Sequence, residues 1–377
     1  MWFCCFSHLY GMLVILNLAY SMDIQKGKEL FETKQYKECL AYFLDHSKEI
    51  GPEGYYYLGQ IYREGLGIEA DEKKGTEYFQ QAANLGYAPA QYQLGGSFLN
   101  GWGVEKNISE GEKWLRSAAG QGYALAQLNL GCLYMNEEEL YNEKEAFDLF
   151  SKASEQGLAG AQRHLGWMYE QGLGTKRDIH KAVEYYQKAA EQGDTVAMFY
   201  LSEKYETGEG ISRNDPLALQ WCESAARQGY APAQNSMGMR YAFANGVEQN
   251  DEKAFQYFLQ AAEQGWAPSE YNVGLFYSRG RGGCTQDEKK AFKWYQLAAE
   301  HGHANAQCNL GWAYENGLGC EVDYPQALHY YEMAAANGDE LARNNKELLE
   351  ARLRGSNIFW AKIWIQTKNW IRRYLPL

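Results

Sequence analysis

The chain has 377 residues, 46% apolar and 22% charged, and a net charge of −12. Such a balance belongs to a folded protein, and so acidic a body argues against nucleic acid as a partner. Only 7 Pro stand against 39 Gly and 30 Tyr, which leaves helices unbroken and hands their punctuation to glycine.

The chain opens on an apolar run, Met12 to Ala19, too short to span a bilayer. Ala19-Tyr20-Ser21 has the small-x-small form of a signal-peptidase site. Residues 1–21 are therefore expected to be a signal peptide, and the protein to be exported: periplasmic, secreted or host-facing. No Lys or Arg precedes the run, and the alternative is a cytoplasmic chain that starts at Met12 or Met22. Residues 22–51 (including KGKELFETKQYKECLAYF) predict a helix pair that caps the N-terminal end of a repeat array.

From residue 52 to 338 one unit returns eight times. A Leu-Gly pair or its substitute recurs at Leu58, Leu94, Leu130, Leu165, Leu201, Met237, Val273 and Leu310, at steps of 35 to 37 residues. An aromatic follows four residues later, from Tyr62 to Tyr314, and a small pair such as Ala189-Ala190 about 20 residues on. A glycine closes each unit, from Gly86 to Gly338. The i, i+4 spacing puts Leu and aromatic on one helix face. The glycine beside the Leu and the alanine pair let two helices approach closely. Gly172-Leu-Gly174 and its equivalents end the first helix, and acids such as Asp251-Glu252 open the second, where the helix dipole favours them. The pattern predicts an all-α solenoid of helix-turn-helix repeats, each burying its apolar face against its neighbours. The third unit departs from the pattern: residues 135–142 replace the Gly-x-Gly turn, which predicts a different loop.

The strings Ala88-Pro-Ala-Gln91, Ala124-Leu-Ala-Gln127, Ala231-Pro-Ala-Gln234 and Ala304-Asn-Ala-Gln307, with the Leu-Gly, Gly-x-Gly and Ala-Ala elements after them, resemble the Sel-one-like repeat of the tetratricopeptide-like superfamily. The resemblance implies a right-handed superhelix and an adaptor or scaffold role. Members include exported bacterial proteins of host-cell entry and trafficking, and eukaryotic adaptors of endoplasmic-reticulum protein degradation. An endoplasmic-reticulum location is accordingly the other alternative, and Asn107-Ile-Ser109 is a glycosylation sequon. A third alternative is a periplasmic regulator of a cell-wall enzyme. Cysteine-rich bacterial members pair cysteines within each repeat. Here Cys39, Cys132, Cys222, Cys284, Cys308 and Cys320 show no regular spacing, so the penicillin-binding reported for those members is not carried over.

No catalytic constellation emerges, and neither a cofactor nor a metal is expected. His301-Gly-His303 flanks a unit-closing glycine, and Arg279-Gly-Arg281-Gly-Gly283 is the seventh inter-helix turn. Neither a nucleophile elbow nor a phosphate-binding glycine loop is present. The function expected is therefore binding. Numbered from its opening residue, each first helix turns positions 7 and 11 to the core and positions 2, 5, 9 and 12 away from it. Those outward positions predict a concave groove for a peptide or helix, lined by Tyr56, Tyr92, Leu128, Trp167, Phe199, Met239, Tyr271, Leu275 and Trp312. The alternative is that superhelical winding buries these side chains against adjacent helices.

Residues 339–354 predict a polar capping helix. Residues 355–377 differ in kind: they hold Lys362, Lys368, Arg372 and Arg373 and no acid, so the rest of the chain carries −16. On a helical wheel Trp360, Trp364 and Trp370 share one face and the four cations the other, the pattern of a helix lying on an anionic membrane surface. Trp360, Lys362, Trp364, Lys368, Trp370, Arg372 and Arg373 are the expected lipid contacts. The alternatives are packing on the last repeat or a partner helix.

Overall fold

A computed structural model describes residues 24–46 and 50–354. The expected signal peptide and the expected lipid-contact set of 355–377 lie outside the described residues. Every regular element among the described residues is helical, and the chain is an all-α solenoid. It forms two compact units, Met1–Gln192 and Gly193–Leu377.

In the first unit α1 (24–32) and α2 (Tyr36–Asp45) precede four helix pairs. These are α3 (Gly51–Glu64) with α4 (Glu72–Asn84), α5 (Ala88–Asn100) with α6 (Ile108–Gly120), α7 (Ala124–Asn136) with α8 (Glu143–Glu155), and α9 (Ala159–Gln171) with α10 (Ile179–Glu191). The second unit repeats the plan. It pairs α11 (Thr195–Thr207) with α12 (Asp215–Arg227), α13 (Ala231–Phe243) with α14 (Asp251–Ala262), α15 (Ala267–Arg279) with α16 (Glu288–Glu300), and α17 (Ala304–Asn316) with α18 (Tyr324–Ala336). Helix α19 (Glu340–Leu353) follows. In each pair the first helix is helix A and the second is helix B.

The local chemistry of each pair is repeated closely. Seven of the eight A helices carry glycine at position 8, and a Cβ there would strike the B helix. At Gly166 it would lie 2.6 Å from the Tyr186 ring, and at Gly238 2.6 Å from Phe258. The missing side chain is what seats an aromatic of B against the backbone of A. Every B helix starts on Asp or Asn, from Asp71 to Asp323, whose side chain accepts the backbone N–H three residues on at 2.9–3.1 Å. The backbone N–H of the same cap donates to the position-11 carbonyl of A, which fixes the length of the connection. In the third repeat a short 3-10 turn, Glu138–Leu140, replaces the glycine turn, yet Asn142 N–H still reaches the Tyr134 carbonyl at 2.9 Å. The second glycine of the turn meets the preceding repeat. A Cβ on Gly174 (φ 65°) would stand 2.4 Å from the Glu143 carbonyl oxygen.

Two positions differ from the sequence expectation. Position 10 is buried in every repeat, as with Ile61, Leu133, Met168 and Phe276, whereas position 11 is buried only at Tyr62 and Tyr134. The position-11 ring is half-buried in six of the eight repeats. It lies along the edge between A and B, as Tyr169 stacks on Tyr185 and Tyr241 on Tyr257, with Lys181 and Lys253 over their respective rings. Position 12 turns toward its own B helix at Leu99, Glu170 and Glu315, whereas Arg63 and Glu206 bond Gln93 and Arg240 of the next A helix. The Tyr186 hydroxyl donates to Glu170 at 2.7 Å and Tyr331 to Glu315 at 2.9 Å, while Leu99 fills the space over Gly111.

Candidate partner-binding surface

Stacking of one repeat on the next rests on position 4 of the A helix. Gln91, Gln127, Gln234 and Gln307 are buried, and each donates to an alanine carbonyl of the preceding repeat at 3.2–3.3 Å. Each also accepts an amide from the end of its own B helix: Gln121 to Gln91, Gln156 to Gln127, Gln264 to Gln234 and Asn337 to Gln307. The glutamine thus clamps two repeats with both ends of one side chain. In the seventh repeat the pair becomes Glu270 and His301, with Nδ1 of the ring 2.8 Å from Oε2. That contact holds the imidazole pKa above its ordinary value.

Other residues of the glycine turns serve the fold too. His303 caps α17 through Nδ1 and stacks on Tyr271. Arg281 makes a two-point ion pair with Asp251 at 2.7 and 2.9 Å, which holds the Asp251 carboxyl below the usual range. Among the described residues no two cysteines form a disulfide. Among them, too, no group of three His, Cys, Asp or Glu side chains could hold a metal ion, and no helix is long and apolar enough to cross a membrane.

The outward face of the A helices differs by position. Position 5 is half-buried because the residue that opens the next A helix lies on it. Tyr56 packs on Tyr87 and Tyr92 on Tyr123. In the second unit Phe199 packs on Tyr230 and Tyr271 on His303. Leu128 and Trp167 rest against the cluster around Leu130 and Phe150, and Leu275 against that around Tyr295 and Leu310. Position 9 is more open at Met239 and Trp312, 40% and 39% exposed.

Two sets of residues on this face were missed by the helical-wheel reading. Position 6 of one repeat bonds position 5 of the repeat before it: Asn129 donates to the Tyr92 hydroxyl, Asn272 to Asn235, and Asn345 of α19 to Cys308 Sγ. Position 6 sits 100° from position 7 and so had no place on an ideal wheel; the recurring Asn was its signal. The second is Phe243, the last residue of α13, 59% exposed. The sequence signal was the loss of glycine after it, since Ala244 takes the left-handed φ of 58° that glycine takes at equivalent ends.

The fifth and sixth repeats break the core rule. Position 10 is Lys204 in α11 and Arg240 in α13, both buried. Lys204 pairs with Glu209 at 2.9 Å, and Arg240 with Glu206 at 2.6 Å. Arg240 Nε is buried without a hydrogen-bond partner among the described residues. Asn245 donates to the other Glu206 oxygen at 3.4 Å. In both pairs the cation is buried and its carboxylate partner is about two-fifths exposed.

The fold is thus a solenoid of helix pairs joined by an amide clamp, with Met239, Phe243 and Trp312 exposed on the A helices of the second unit. The family pattern described as Sel1 repeat matches residues 52–87, 88–123, 124–158, 159–194, 195–230, 231–266, 267–303 and 304–339, and the chain belongs to that family. Among solved structures, it is similar to a protective antigen of uropathogenic Escherichia coli strains that displays an SLR fold. The identity is 32% over 83% of this chain and 68% of that one, with a TM-score of 0.66. It is also similar to a Sel1 repeat protein from Oxalobacter formigenes, at 32% identity over 83% of this chain and 90% of that one, with a TM-score of 0.60. No curated protein matches the chain. Sel1 repeat proteins are scaffolds that bind protein partners.

Proposed function

We propose that this chain is a non-enzymatic scaffold that holds a partner peptide or helix on the outward face of its A helices. The observation that supports this most is the position-nine row of the second unit, Met239, Leu275 and Trp312, with Phe243 beside it. A solvated face gains nothing from exposing Phe, Met and Trp, whereas apolar anchors supply most of the binding energy at an interface. Glu203, exposed at position 9 of α11, borders the row, so a ligand with large apolar side chains and nearby cations fits it best. Phe199 and Tyr271 belong to the same reading as walls of this surface in the second unit, and Tyr56, Tyr92, Leu128 and Trp167 hold the equivalent positions within the first unit. The test is selection of binding peptides with the full chain, followed by Met239→Glu. A variant that melts like the parent and still binds the selected peptides would end the reading.

The chain also reads as an exported bacterial protein acting on host-cell entry, trafficking or the envelope. Its support is the apolar run before Ala19-Tyr20-Ser21 and the likeness to a bacterial protective antigen. Residues 355–377 add a surface suited to anionic lipid. Mass determination of the mature N-terminus in the native cell tests the first, since a cytosolic chain starting at Met12 or Met22 would overturn it. Sedimentation with anionic vesicles tests the second.

A further inference from the structure

We infer that Asn245 is a built-in deamidation site, at which the backbone nitrogen of Gly246 closes on the Asn245 side-chain amide and turns the residue into aspartate or isoaspartate. The inference does not depend on what the second unit binds. The chain holds four Asn-Gly pairs, at Asn100, Asn245, Asn316 and Asn337. All four asparagines are exposed, so access to water does not separate them. What separates them is how each pair is held.

In three pairs both reacting groups are tied down. The Gly101 N–H donates to the Ser97 carbonyl at 2.8 Å, that of Gly338 to Ala335 at 3.1 Å, and that of Gly317 to Ala313. The asparagine amides are engaged too: Asn100 with the Gly96 carbonyl, Asn316 with that of Trp312, and Asn337 with Gln307 in the clamp, at 2.8–3.0 Å. In the sixth repeat Ala244 takes the left-handed position after α13, so the Asn-Gly pair falls beyond the helix end. There the Gly246 N–H has no hydrogen-bond partner among the described residues. The Asn245 amide reaches Glu206 Oε1 at 3.4 Å, a long contact. The turn also has room to move. A Cβ on the equivalent glycines Gly103, Gly174, Gly282 and Gly319 would stand 2.2–2.7 Å from the preceding B helix, whereas one on Gly246 would meet nothing nearer than Arg240 Nη1 at 3.8 Å.

The reaction needs water and no other reagent. Water or hydroxide takes the Gly246 amide proton, and the nitrogen attacks Asn245 Cγ. The new C–N bond forms, the Cγ–Nδ2 bond breaks, and ammonia leaves a cyclic imide behind. Water then opens the ring at either carbonyl, which gives aspartate or, with the chain rerouted through Cβ, isoaspartate. Glycine suits the step because no Cβ blocks the approach and its backbone turns freely. A bonded N–H must first be released by local opening, and that requirement protects the three helix-end pairs. The product places a carboxylate where the Asn245 amide met Glu206, so a donor becomes a like charge and the turn loses that tie to the preceding repeat.

Incubation of the full chain at mildly alkaline pH tests this, followed by peptide mapping that separates asparaginyl, aspartyl and isoaspartyl forms. Asn245 is expected to convert at least about tenfold faster than Asn100, Asn316 and Asn337 in the same folded sample. The other three pairs serve as internal references, so no variant has to fold. In urea, where helix ends no longer protect, the four pairs should convert at rates within about threefold of one another. A folded-state advantage smaller than tenfold would overturn the inference. So would an advantage that persists unchanged in urea, since it would then belong to the neighbouring residues and not to the fold.

Discussion

His301 and Glu270 stand 2.8 Å apart at the place where other repeats join two side-chain amides. A carboxylate has no donor for the alanine carbonyl that a glutamine would reach, so the seventh clamp depends on the imidazole proton. Glu270 is nearly fully buried, and the ring is about half exposed. Glu270, and Glu300 beside the ring, hold the His301 pKa above its ordinary value. A raised folded-state pKa contributes stability that is complete below the unfolded value near 6.5 and lost as pH rises through the folded value. Melting temperature should therefore fall as pH is raised through that window. Glu270→Gln restores the amide and should reduce the dependence, and the NMR titration of His301 should move back toward its ordinary midpoint. An unmoved midpoint would show that the contact does not form.

The amide clamp itself should be worth more than one hydrogen bond. Gln127→Leu removes the bond to the Ala119 carbonyl and the one from the Gln156 amide, which keeps its bond to the Gly122 carbonyl, with little change in volume. A loss of roughly 1–3 kcal/mol is expected, two hydrogen bonds at about 0.5–1.5 kcal/mol each. Urea unfolding measures it, with Gln156→Ala as the half-deletion. A loss below about 0.5 kcal/mol would place the stacking energy in the apolar contacts alone.

Gly166→Ala should be more damaging than its chemistry suggests. The new methyl would stand 2.6 Å from the Tyr186 ring and 3.1 Å from the Ala182 carbonyl oxygen. Overpacking of this kind costs about 1–3 kcal/mol. Gly166→Ala with Tyr186→Leu should recover part of that, because the smaller side chain leaves room. Thermal melting of the single and double variants checks the coupling.

Much of this architecture could be read from the residues, because each repeat states its packing eight times. Gly-Leu-Gly, Ala-Ala and Leu-Gly are local signals, and the contacts they make lie within one repeat or with its neighbour. The face of each A helix was harder. An ideal wheel assumes one core direction, but an A helix has three neighbours: its own B helix, and the elements of the repeats before and after. Hence position 10 was buried where 11 was expected, and Glu170 and Glu315 turned to the tyrosines of B. The position-five side chains Tyr92 and Phe199 were assigned to an outward face, and what the wheel could not supply was the aromatic that opens the next helix. Cys308 shows the same effect, since it is buried under Asn345 of α19.

Arg240 gives the sharpest separation of stability from function. Its guanidinium is buried at a position filled by Ile61, Leu133, Met168 and Phe276 in other repeats, and it bonds Glu206 at 2.6 Å while Nε stays unsatisfied. Removing one member of a buried pair leaves the other charge uncompensated, but Glu206 is about two-fifths exposed and can rehydrate. Arg240→Met alone is therefore expected to cost about 1–3 kcal/mol, below the usual ~3–5 kcal/mol for a fully buried pair. Arg240→Met with Glu206→Gln removes both charges and fills the core with the residue used at Met168. The double variant should match or exceed the parent in stability, because hydrophobic replacements of buried pairs often do. If the pair is retained to shape the ground around Met239 and Phe243, the double variant will melt as high as the parent yet bind the selected peptides at least about tenfold more weakly, a difference of ~1.4 kcal/mol. Equal binding by a stable double variant would assign the pair no part in recognition and leave Phe243 and the position-nine row to carry it alone.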